Sequence, residues 1–360
     1  MKKSKYKIAV LVIIAVTVIL NLIAFSKEFC DRYTVTVYRG LNAAIGSLTG
    51  RTSIIIGELL MYVGAALVVL FLVFGIVRLI LFKKKAFAKF FKGYAKTFLI
   101  ILLLVLLVYT TNWFIPIRGN VLVVSDNTRT EYTVAELKAV RNLAVSKLNE
   151  IAEKIPRDEN GIVITDYSQE EIFAIMEARA DEFPKLAGHY SPAKEAYCSA
   201  VLDMMGIGGY NYIYTMEPTV NRYMSALYMP TAIAHELCHH KGYYYENEAT
   251  FISAIVLAES DNLYFQYCGW FEIYRYVDDE VWEYDDYDLM WSDRVSADYL
   301  YAYEQAELMY EAEVNETVHE VLSEPAGEIA DKGWEIQGEI LQENIYSGMV
   351  LMLLQYYYEQ

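Results

Sequence analysis

The stretch Ala234-His235-Glu236-Leu237-Cys238-His239-His240 concentrates the residues best suited to chemistry. Residues four apart share one helix face, so His235 and His239 can direct two imidazole nitrogens at one Zn²⁺, at about 2.0–2.1 Å. Glu236 then flanks the ion without binding it. From there its carboxylate can take a proton from a zinc-coordinated water, whose pKa the metal lowers toward ~7, and return it to a leaving amine. The chain has five histidines, and three of them fall within the six residues from His235 to His240, a density that accidental placement on an exposed helix does not explain. His240 lies about 100° around the helix from the metal face and belongs on the surface or behind the ligands.

The spacing is the HExxH arrangement of zincins. A catalytic zinc takes a third protein ligand and leaves one position open. Two acids stand close downstream, in Glu246-Asn247-Glu248-Ala249-Thr250. Gly242 can adopt positive φ and turn the chain back, so that the next helix begins near the metal. Zincins with a glutamate third ligand commonly show E-x-x-A followed by a polar residue, and that register selects Glu246, with Glu248 as the alternative. In the related HExxHxxGxxH pattern Gly242 takes the glycine position and Tyr245 the third-ligand position, so the chain has returned to the metal by residue 245 or 246. Tyr245 thereby becomes a neighbour of metal or substrate, and Thr250, one turn after Glu246, can hydrogen-bond a ligand. An oxyanion donor is also expected, with Tyr243, Tyr244, Tyr245, His189 and His319 as candidates.

These residues need elements to hold them. Pro230 opens a helical run that ends at Gly242, and a second helix begins near Tyr245 and continues through Ala249, Ile252 and Val256. Val134 to Ile155 and Ser168 to Phe183 carry apolar residues at helical spacing behind capping boxes of Thr133 with Glu136 and Ser168 with Glu171. Further helical segments are expected around Ala297 to Ala312 and Ile345 to Tyr357. Ile207 to Met216 has the composition of extended structure before Pro218 stops it, and Tyr210 to Met216 could be the edge strand against which a peptide pairs. Beyond Tyr264 aromatic and acidic residues alternate. The 32 tyrosines suit half-buried packing surfaces. The reading is a mainly α, α+β domain spanning 116–360.

The first third differs. Ile8 to Phe25, Ile54 to Val77 and Phe98 to Ile115 are each long enough to cross a bilayer as a helix, which makes residues 1–115 a multi-pass anchor with three transmembrane helices. The first run follows a Lys-rich start that also fits a signal peptide, but only the weak pattern Ala24-Phe25-Ser26 closes it, and an uncleaved anchor is the preferred reading. Glu58, just inside the second run, is expected to reach the headgroups. Up to residue 115 there are 15 Lys and Arg against 3 acids, and beyond it 15 against 44. Seven basic residues and no acid lie between Arg78 and Lys96. The positive-inside rule therefore puts this loop and the N-terminus in the cytoplasm and everything after Pro116 outside the cell membrane. So acidic a domain repels nucleic acid and anionic lipid. Cys30, Cys198, Cys238 and Cys268 form neither a disulfide framework nor a metal spacing, and Cys238 reads as a buried thiol.

Taken together, Glu217-Pro218-Thr219-Val220-Asn221, Met229 to Glu236, Gly242 to Phe251, Gly57-Glu58-Leu59-Leu60, Tyr267-Cys268-Gly269-Trp270 and Ser347-Gly348-Met349-Val350 resemble an uncharacterised bacterial membrane family, Domain of Unknown Function family 3810. The resemblance covers nearly the whole chain. It implies a zincin-like fold, a Zn²⁺ cofactor and a peptide or protein substrate. Cys238 stands where the family more often has Ala, and Thr250 where Asn is usual, whose amide reaches further than a hydroxyl. The leading expectation is a membrane-anchored zinc metallopeptidase. Its rival is a non-catalytic zinc-binding or sensory membrane protein of the same fold, which would have no need of Glu236. A di-iron oxygenase is excluded, because no histidine precedes residue 180.

Overall fold

Among the described residues, three stretches are long and apolar enough to cross a membrane as helices, Lys5–Ile23, Ile56–Ile80 and Lys85–Ile117. At 1.5 Å per residue, 25 residues reach about 37 Å, against a hydrocarbon core of about 30 Å. Their side chains agree with that medium: Leu11, Val69, Leu72 and Leu102 are among many apolar groups left exposed. The computed structural model describes residues 2–124, 131–281, 289–341 and 345–358, which are mostly helical and fall into two units.

The first unit comprises Met1–Asn120 and Tyr212–Glu217. Its helices are α1 (Lys2–Ile23), α2 (Lys27–Tyr33), α3 (Arg39–Thr49), α4 (Ile56–Ile80), α5 (Lys85–Tyr109) and the single turn α6 (Ile115–Ile117). Helix α5 begins at Lys85 rather than near Phe98. The basic stretch is therefore mostly helical, with only residues 81–84 linking α4 to α5. Lys, Ala and Phe all tolerate a helix, and lysine stems let their ammonium groups reach polar surroundings. Glu58 does not project outward. It is fully buried and accepts a hydrogen bond from the Tyr62 hydroxyl at 2.6 Å, as a buried carboxylate must find partners. At the start of α4 the Glu217 carboxylate accepts from the N–H groups of Ile56 (3.1 Å) and Gly57 (2.7 Å), placing negative charge on unsatisfied helix donors.

The second unit comprises Val121–Asn211 and Pro218–Gln360. Its helices are α7 (Val134–Ala152), α8 (Gln169–Ala178), α9 (Ser199–Met204), α10 (Met229–Lys241), α11 (Glu246–Ala258), α12 (Leu263–Val281), α13 (Asp293–Glu313), α14 (Glu316–Leu341) and α15 (Ile345–Tyr358). Both capping boxes form as their sequences require. Helix α11 is apolar around its circumference, and every residue from Glu248 to Ala258 is buried. Such a helix belongs at the centre, and α10, α12, α15 and α8 surround it. Gly269 permits the close approach of α12, since a Cβ there would collide with the backbone of Ala258 and Ala254.

A small three-stranded sheet has the order β1-β3-β2, from β1 (Lys194–Glu195), β2 (Gly209–Tyr212) and β3 (Glu217–Val220). Strand β1 runs parallel to β3, with Lys194 opposite Thr219 and Glu195 opposite Val220. The extended segment expected up to Met216 is shorter, and Pro218 lies inside a strand instead of ending one. It precedes the first residue of β3 paired to β1, so its missing N–H removes no bond from that ladder. All four cysteines are free thiols.

Candidate metal centre

Helix α10 is punctuated as its sequence demands, with Pro230 in the first turn and Gly242 in the left-handed conformation at φ 97°. The Tyr243 N–H returns to the Cys238 carbonyl (2.9 Å) and the Gly242 N–H to that of His239 (3.0 Å). This reversal makes Glu246 the first residue of α11 and carries it back over the His235–His239 face. One Glu246 Oε2 lies 3.1 Å from His235 Nε2 and 3.4 Å from His239 Nε2. The three ligand atoms all fall within 4.8 Å of one another, a group able to hold a metal ion. His235-Glu236-x-x-His239 with Glu246 matches the HExxH zincin motif with a downstream glutamate.

The surroundings orient each ligand. His239 Nδ1 lies 2.8 Å from the Tyr243 carbonyl oxygen, which can only accept, so Nδ1 carries a proton and Nε2 is the nitrogen turned toward the cluster, where a metal would displace its proton. His235 Nδ1 is 3.2 Å from Thr250 Oγ1. The Tyr244 ring stacks on His239 with centroids 6.1 Å apart. Burial lowers the proton affinity of His239, but the facing Glu246 carboxylate overcomes this and pushes it up to about 9. For His235 burial prevails and the shift is downward, despite the Glu246 carboxylate that accepts from its imidazole. Burial would raise Glu246, yet the charge of His239 and bonds from both imidazoles hold it well below the usual carboxylate range.

Glu236 stands apart from these pairings. It is 4% exposed, and its Oε2 is buried with no hydrogen-bond partner among the described residues. Burial pushes it up to about 8, with His239 opposing and Glu246 adding to the rise. A buried, unpaired carboxyl costs stability, and this one is held beside the ligand cluster. The start of β2 leaves it room: a Cβ on Gly209 would lie 2.8 Å from Glu236 Cγ and 2.9 Å from Oε1. The adjacent glycines Gly208 and Gly209 at a strand start were the signal for this close approach.

The remaining expected residues fall elsewhere. Glu248 is buried and its Oε1 accepts from the Leu122 N–H at 2.5 Å, tying down the chain ahead of α7. Tyr245 is the N-cap residue of α11. The Tyr243 hydroxyl accepts from the Lys185 N–H (3.4 Å), and its ring lies under the Lys185 ammonium. His189 meets Ser191 and His319 meets Tyr310, so neither joins the cluster. His240 is not on the surface. It is fully buried, and burial drives its proton affinity well down, because α10 is enclosed on nearly every face.

Two nitrogens and one carboxylate oxygen are a donor set that zinc accepts, and tetrahedral arms of about 2.1 Å require ligand atoms about 3.4 Å apart. The Glu246 oxygen lies 3.1 and 3.4 Å from the two imidazole nitrogens, close to that spacing. No curated protein and no solved structure matches the chain. The family described as "Protein of unknown function (DUF3810)" does: its model matches residues 33–324, a span holding His235, Glu236, His239 and Glu246, and the chain belongs to that family.

Proposed function

We propose that this chain is a membrane-anchored zinc metallopeptidase that hydrolyses peptide bonds, with His235, His239 and Glu246 as metal ligands and Glu236 as general base. The observation that carries the reading is the buried Glu236 carboxyl without a partner, beside three ligand atoms within 4.8 Å of one another. Bound there, zinc would supply Lewis acidity toward a carbonyl oxygen and acidify a water. The chain's own residues do the rest. Glu236 Oε2 takes a proton from the attacking water and passes it to the departing amine nitrogen. Tyr243 and Thr250 hold the two imidazoles through their outer nitrogens, and Glu248 is spent on the backbone of Leu122.

In this reading residues 1–115 anchor the protein through three membrane spans, the N-terminus is cytoplasmic, and a zincin-like domain from 116 to 360 works outside. The charge asymmetry supports that orientation. The full-length protein in detergent should contain about one zinc per chain and cleave an unstructured protein such as casein. Glu236→Gln should keep the zinc and lose at least ~10²-fold in turnover. Absence of zinc, or equal turnover by Glu236→Gln, would overturn the proposal; zinc without cleavage of any peptide would leave a binding or sensory protein.

A further inference from the structure

A cleft of about 1100 Å³ opens in the second unit between the residues leading into α10, helix α12 and the α13–α14 pair. It is open to solvent and slightly larger than the roughly 300–1,000 Å³ of ordinary ligand pockets. Aromatic rings from Tyr228, Tyr274, Trp291, Tyr299, Tyr303 and Tyr310 line it. Its charge is one-sided: Asp203, Asp278, Asp279, Glu307, Glu311 and Glu316 face one arginine and, among the described lining residues, no lysine.

Some of that charge is already used. Asp278 pairs with Arg141 at 2.6 Å, and Asp203 accepts from the Asn221 amide at 3.0 Å. The arginine, Arg275, is neutralised by Glu272 at 2.6 Å. Glu307, Glu311 and Glu316 have no ion-pair partner among the described residues. A ligand completing this cleft therefore brings positive charge for the free carboxylates and a flat or apolar stem for the rings. Arg275 displays the mode in miniature, with its guanidinium 5.5 Å from the Tyr228 ring centroid and 4.6 Å from that of Tyr276.

Position ties the cleft to the metal helix. Tyr228, one of its walls, is the N-cap of α10 and precedes His235 by seven residues. That is a rise of about 10 Å along the helix. An extended peptide covers the distance in about three residues.

We propose that this cleft receives an arginine or lysine side chain of the peptide held at the metal centre, about three residues from the scissile bond, so that the substrates are cationic peptides or basic segments of proteins. The inference rests on the peptidase reading for its link to cleavage, but the cleft's charge preference can be measured without it.

The test uses full-length Glu236→Gln protein in detergent and three fluorescent peptides of one length, differing only in carrying Arg, Gln or Glu at the varied positions. The expected result is binding of the Arg peptide at least ~10-fold more tightly than the Gln peptide, weakening between low and high salt. The additional substitutions Tyr303→Ala with Glu307→Gln and Glu311→Gln should abolish that preference. All three side chains are exposed, so zinc content should stay unchanged and report an intact fold. Equal binding of the three peptides, or a preference untouched by these substitutions, would overturn the inference. Wild-type hydrolysis of all three peptides with the same kcat/KM would overturn it while leaving the peptidase reading in place. Selective Arg-peptide binding with no hydrolysis by wild type would do the reverse.

Discussion

Thr250 touches the His235 imidazole and Gly209 borders the Glu236 side chain, and the proposed role of each can be tested by changing one interaction. Thr250→Val keeps the shape of the side chain but removes the hydroxyl 3.2 Å from His235 Nδ1. Loss of an outer hydrogen bond of this kind typically costs ~10–100-fold in metal affinity, and competition with a calibrated chelator should show a fall in that range. Gly209→Ala acts on the base instead. Its methyl would press on Glu236 Cγ and Oε1 and on the Thr219 carbonyl. The expected outcome is normal zinc stoichiometry, a lowered unfolding midpoint and turnover reduced by about 10²-fold, the effect of a displacement near 1 Å at a reacting group. Unchanged turnover in this variant would remove Gly209 from any positioning role.

At the scale of elements, the metal face depends on α10 and α11 staying packed in a core that α7, α12 and α13 complete. Part of the lock is polar. Arg157 grips Asp298 of α13 through two bonds, 2.6 Å from Nη1 to Oδ1 and 2.8 Å from Nη2 to Oδ2. The buried Tyr267 hydroxyl of α12 donates to the same Oδ2 at 2.8 Å. With the side chain of Asp298 7% exposed and that of Arg157 16% exposed, removing one partner strands the other. Asp298→Ala should therefore destabilise the second unit by about 3–5 kcal/mol, read as a lowered denaturation midpoint of the full-length protein. Samples kept below that transition should retain their zinc.

For the molecule as a whole, the proposed metal binding would be linked to stability, because a ligand cluster assembled from two helices exists only in the folded chain. Chelation should lower the free energy of unfolding by about 2.7 kcal/mol when free zinc had been at 100 times its dissociation constant. Thermal scans at several buffered zinc concentrations check this. A midpoint independent of zinc would mean that no metal binds the native state in that range.

Local rules were enough for much of this protein. HExxH on a helix ended by glycine, and a glutamate four residues after that glycine, are short-range features whose geometry follows from helix pitch and one positive φ. The three apolar runs and the two capping boxes are equally local. The sequence pattern could not separate Glu246 from Glu248 except by analogy, because both lie on the first turn of α11. Only tertiary packing gave one carboxylate to the imidazoles and the other to the Leu122 N–H, 126 residues away along the chain. Helix α12 was obscured because its aromatic residues have modest helix propensity, and α14 because Pro325 sits inside it. Gly209 against Glu236, and the cleft between α12 and the α13–α14 pair, join residues far apart in the chain. Such contacts depend on how helices and strands pack, which no spacing along the sequence encodes.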